Sequence, residues 1–78
     1  MSLELKAGME VIMVFSDEQR IARVEKIEKG GAIVREALVV DEYTRLYGDY
    51  SNLYTFTRRA GGGWAQKGFT EPYLIEKV

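Results

Sequence analysis

The sequence predicts a mainly β fold, and three observations carry the prediction. Branched, apolar residues fill positions 9–15 and 32–40, glycine-rich turns stand at Gly30-Gly31 and Gly61-Gly62-Gly63, and threonine alternates with aromatic residues from Leu53 to Arg59. The chain has 78 residues, 46% of them apolar and 29% charged, so residues 1–78 are expected to form one small folded domain rather than a disordered tail. A domain of this length buries only about 60% of the surface its unfolded chain exposes, which leaves a thin margin of stability.

The elements follow in order along the chain. Met9 to Phe15 is a branched apolar run ended by the polar turn Ser16-Asp17-Glu18-Gln19, and reads as a strand. Arg20 to Lys29 supports two readings. Ser16 with Gln19 three residues later forms a capping-box pattern before a helix that would end at Gly30, with Ile21, Val24 and Ile27 as its stripe. As a strand, the same stretch puts Ala22 and Val24 on one face and needs a slip of register near Glu25-Lys26. Pattern alone leaves these two readings close to even.

Gly30-Gly31 makes a tight connection, because glycine takes the positive φ values that short hairpin turns require. Ala32 to Val40 then reads as one long strand ended by Asp41-Glu42. Val39, Tyr43, Leu46, Tyr50 and Leu53 form a heptad-like stripe, but Gly48, Asp49, Ser51 and Asn52 disfavour a helix interior. Tyr43 to Tyr47 is therefore expected to be extended and followed by a loop. Leu53 to Arg59 is a half-buried strand, Ala60 to Gly63 a hairpin loop, Trp64 to Phe69 the returning strand, and Tyr73 to Ile75 the closing one after a turn at Pro72.

The first half of this pattern resembles the opening of small SH3-like barrels, among them KOW-motif and Tudor-like domains and short phage and bacterial proteins. The resemblance rests on Gly8 leading into Met9 to Val14, on Ile21-Ala22-Arg23-Val24-Glu25-Lys26-Ile27, and on Gly30-Gly31-Ala32-Ile33-Val34, and covers residues 6–36. It implies a barrel of about five to six antiparallel strands and turns the Arg20 to Lys29 stretch from helix to strand. Such barrels bind RNA, DNA or protein tails and are seldom enzymes, so the resemblance implies an interaction module.

Composition excludes several chemistries. The chain has no cysteine and no histidine, so disulfide frameworks, zinc-finger, haem and iron–sulfur ligation, and His-based nucleophile systems are all ruled out. No cofactor is expected. The longest apolar runs, Val11 to Phe15 and Ala37 to Val40, fall far short of the roughly 20 residues that span a bilayer as a helix. Glu4, Lys6 and Glu10 break any signal-peptide pattern, and a cytoplasmic location with no membrane partner is expected. The adjacent carboxylates Asp17-Glu18 and Asp41-Glu42 lie at expected turns and are read as solvated residues rather than as a metal site. Catalysis is not expected, because a domain this small seldom encloses the pocket that paired carboxylates need.

Charge is unevenly placed. Residues 1–42 carry six basic and nine acidic side chains, whereas residues 43–70 carry four basic and one acidic, together with most of the aromatics. Cations interleaved with rings suit a nucleic-acid surface, although rings also simply fill β cores. The segment Arg58-Arg59-Ala60-Gly61-Gly62-Gly63-Trp64 is the leading candidate: two guanidiniums and an indole flank a loop that lets backbone approach a ligand. The candidate ligand-binding set is Arg45, Tyr54, Arg58, Arg59, Trp64 and Lys67. The bland alternative is a hairpin tip with solvated arginines and a tryptophan capping the barrel. Two partners stay open, nucleic acid on the basic aromatic half or a protein meeting a sheet edge and the tyrosines.

Overall fold

The computed structural model describes residues 3–48 and 52–77. The strands are β1 (Glu10–Val14), β2 (Gln19–Glu28), β3 (Gly31–Glu36), β4 (Leu38–Val39), β5 (Arg45–Leu46), β6 (Leu53–Arg58), β7 (Trp64–Gln66) and β8 (Tyr73–Glu76). Strands β1-β2-β3-β6-β7-β8 close into an antiparallel barrel, as β8 returns to pair with β1, while β4 and β5 form a separate two-stranded sheet. The fold is thus mainly β, a small closed six-stranded antiparallel barrel, an architecture consistent with the expected SH3-like one, with no helix among the described residues. Tyr50 of the heptad-like stripe lies outside the described residues.

Period-two alternation builds the core. Val11 and Met13 of β1, Ala22 and Val24 of β2, and Ala32 and Val34 of β3 all point inward and are buried. Phe56, Trp64 and Leu74 close the ring from the other three strands. At about 25 cal/mol per Å² of apolar surface removed from water, this inward row supplies the main favourable term for folding. Closure also leaves few open strand edges for unwanted pairing.

Arg20 to Lys29 forms a strand over all but its last residue. The register shifts between Val24 and Lys26, so Glu25 is the extra residue of a bulge, which strengthens the local twist as a closing barrel requires. The β2–β3 turn differs from the expectation in one respect. Only Gly30 takes a positive φ, of 75°. Gly31 instead begins β3, where a Cβ would stand 3.1 Å from the Phe56 carbonyl oxygen. One glycine serves the turn, and the other serves close approach between strands.

The expected long strand from Ala32 to Val40 is divided. β3 ends at Glu36, the Ala37 amide bonds the Ile21 carbonyl at 2.9 Å, and the chain then leaves the barrel as the β4–β5 hairpin. Leu38 pairs with Leu46 and Val39 with Arg45, and Asp41 closes the turn by accepting from the Tyr43 and Thr44 amides at 2.8 Å each. Those two amides hold the Asp41 carboxyl below the usual carboxylate range. At the N-terminal side, Gly8 turns the chain with φ 88°, and Leu3, Leu5 and Met9 pack against the core.

Candidate functional site

The six residues singled out by sequence lie in three places. Tyr54 and Arg58 share the inward parity of β6, four residues apart, so they stand near opposite ends of the barrel, roughly 13 Å apart along the strand. Tyr54 belongs to a cluster at one end. Its hydroxyl donates to Glu36 at 3.1 Å, and its ring meets Phe15 edge-on, with centroids 6.3 Å apart. Arg20 donates to Glu18 and Glu36 and lies 4.6 Å from the centre of the Phe15 ring. Glu18 first and Glu36 second hold this guanidinium protonated even more firmly than usual, and burial pushes the Tyr54 phenol up. The cluster is internally paired, which is how a barrel end is sealed.

At the other end Trp64 is only 7% exposed, and its indole N–H donates to the Leu3 carbonyl at 2.9 Å. The Arg58 guanidinium sits 5.6 Å from the centre of that ring, across the β6–β7 pair. The tryptophan is therefore a core residue with its polar handle satisfied, and its face is not free to stack on a base. Arg59 reaches along β7 and donates to the carbonyls of Gln66 (2.8 Å) and Phe69. Lys67 is exposed, and its amide bonds the Thr55 carbonyl at 2.9 Å. Arg59, Lys67 and the exposed Phe69 thus form one basic corner around the turn between β7 and β8, with Arg58 at the preceding strand end.

Arg45 lies elsewhere. It is on β5, 3.7 Å from Glu10 of β1, and its Nε is buried with no partner among the described residues. It belongs to a charged layer on the outer face of the barrel, where Arg23 covers the Tyr47 ring at 4.3 Å and Arg35 bonds Glu25 at 2.8 Å and the Gly48 carbonyl at 2.6 Å. The Arg35 hydrogen bond holds the Glu25 carboxyl below its ordinary range. These arginines are committed to carboxylates and carbonyls and fix the loop that carries the hairpin.

The surface that sequence reasoning missed is the hairpin itself. Leu38, Val40 and Leu46 share one face of it, and Val39 and Arg45 share the other. Leu38, Val39, Val40 and Leu46 are each between 44% and 58% exposed, and Tyr43 at the tip is 85% exposed. Sequence offered one signal for it: Asp41 followed three residues later by Thr44, an Asx-turn pattern between two short apolar pieces. An open cleft of about 850 Å³ lies between the N-terminal segment, the β6–β7 loop and β8, lined by Leu3, Glu4, Lys6, Met9, Leu74, Ile75, Glu76 and the Gly61 to Gly63 loop. No buried polar or charged residue occurs among the described residues, so no desolvated acid or base faces this cleft. No helix among the described residues is long and apolar enough to cross a membrane. No protein-family model, curated protein or solved structure matches the chain.

Proposed function

We propose that the chain is a non-catalytic interaction module that meets a protein partner through the β4–β5 hairpin. One observation carries this: five large apolar side chains, Leu38, Val39, Val40, Tyr43 and Leu46, stand exposed on a two-stranded sheet separate from the barrel. An isolated two-stranded hairpin is marginally stable in water, and exposed apolar side chains gathered on one face, here Leu38, Val40 and Leu46 with Tyr43 at the tip, mark an interaction site. The ring–carboxylate layer of Tyr47, Glu10, Arg23 and Arg45 gives it a fixed base. The resemblance of residues 6–36 to KOW-like and Tudor-like barrels supports a binding role over a catalytic one, in a cytoplasmic phage or bacterial protein.

Nucleic acid on the basic corner is the second reading, favoured by Phe69, 62% exposed beside Lys67 and Arg59. A photo-cross-linking residue at position 43, and separately at position 67, distinguishes the two in cells. Protein adducts from position 43 are expected. Adducts only from position 67, and only with nucleic acid, would replace the first reading with the second.

A further inference from the structure

From charge and exposure together we infer that the hairpin's partner is a second copy of this chain, held head to tail by the hairpin tip on the basic corner of its neighbour. This rests on the hairpin as the interaction surface. The tip offers Val40 and Tyr43 beside the exposed carboxylates Asp41 and Glu42, and the only cation of the hairpin strands, Arg45, is turned to Glu10. The corner offers the opposite: Arg59 and Lys67 against Glu71, the one acid from residue 58 to 73, beside the exposed rings of Phe69 and Tyr73. Each patch is apolar at its centre and carries one sign of charge, and the signs are complementary. Such pairing steers association and sets its register, while buried rings supply the affinity.

The two patches belong to different parts of the fold. The hairpin's ties run to β1 and β2, through Arg45 to Glu10 and the Ala37 amide to Ile21. The corner belongs to β6, β7 and β8. A contact between unlike patches is heterologous, so a bound pair leaves one hairpin and one corner free, and the assembly grows into a ring or an open filament rather than stopping at a two-fold dimer. The uneven charge of the chain, acidic through residue 42 and basic from 43 to 70, is then the sequence trace of two mating surfaces.

The test is sedimentation of the full chain up to about 1 mM, where even a weak contact is populated. Two double variants, Val40→Ser with Tyr43→Ser and Lys67→Glu with Phe69→Ser, change only exposed side chains, and denaturant midpoints report whether each is folded. The native chain is expected to associate with rising concentration, less so at high salt, and each variant alone is expected to be weakened about tenfold or more. Mixed, the two variants should form a 1:1 complex, because one retains an intact corner and the other an intact hairpin. A native chain that stays monomeric overturns the inference. It leaves the hairpin reading standing if position 43 cross-links a different protein, and takes that reading with it if no protein adduct forms there. Association lost in the hairpin variant but untouched in the corner variant also overturns it, in favour of hairpin-to-hairpin pairing.

Discussion

Tyr47 and Glu10, 37 residues apart in sequence, are joined by a 2.8 Å hydrogen bond from the tyrosine hydroxyl to the carboxylate. The bond ties the segment after the hairpin to the outer face of β1, and Arg23 covers the tyrosine ring from β2. The hairpin therefore leaves the barrel from a fixed point although its own side chains find no core.

The same pair predicts a pH response. Burial first, and then the Glu10 carboxylate, push the Tyr47 phenol up to about 12 from its ordinary 10.0. The folded state thus favours the neutral phenol, so the stability it contributes is fully present below its ordinary value and is lost as pH rises through the raised one. Tyr47→Phe should cost about 1 kcal/mol near neutral pH and lose less further stability in the alkaline range than the native chain does. Denaturant titrations at neutral and alkaline pH check this, and parallel alkaline losses would contradict it.

Glu25 predicts the opposite limb. Its hydrogen bond from Arg35 lowers the folded-state pKa below 4.5, so the contribution is present above the unfolded value and is lost as pH falls through the folded one. The pair is partly exposed, which limits the effect to at most about 1 kcal/mol. Glu25→Gln should therefore flatten the acid limb of the stability curve and lower the plateau slightly.

Trp64→Ala removes a core ring and should cost about 3–5 kcal/mol, a large share of what so small a domain possesses. Trp64→Phe keeps most of the bulk but leaves the Leu3 carbonyl without its donor, and should fall between the two. A denaturant midpoint for Trp64→Ala close to native would show that the ring is outside the core.

Two glycines separate conformation from space. Gly30→Ala meets open space but forces a residue with a side chain into positive φ, and should cost about 1–2 kcal/mol. Gly61→Ala also meets open space, lacks that φ, and should be neutral or slightly stabilising. Equal losses at both sites would contradict the turn geometry.

Much of the barrel was legible in sequence because inward residues recur at period two, and even the bulge at Glu25 follows from the slip that Val24 and Ile27 demand. What escaped was tertiary. Nothing in the branched run from Ala32 to Val40 marks Ala37 as the residue where the chain leaves the sheet, since strand propensity is satisfied equally well on a barrel or on a freestanding hairpin. The candidate site dispersed for a related reason. Chain order places Arg45 and Arg58 in one basic half, but pairing sets Arg45 beside Glu10 of the acidic half. Trp64 was legible as an aromatic flanking a loop, and only its strand parity, opposite Arg58, decides that it faces inward.

Amide hydrogen exchange at low and high protein concentration tests the central claim most directly, that the hairpin is a surface awaiting a partner. In dilute solution the amides from Leu38 to Leu46 should exchange far faster than those of Val11, Val34 and Phe56, whose opening approaches global unfolding. At high concentration exchange should slow across the hairpin and across residues 67–73, with barrel strands β1, β2, β3 and β6 unchanged. A hairpin as protected in dilute solution as the barrel, and indifferent to concentration, would contradict it.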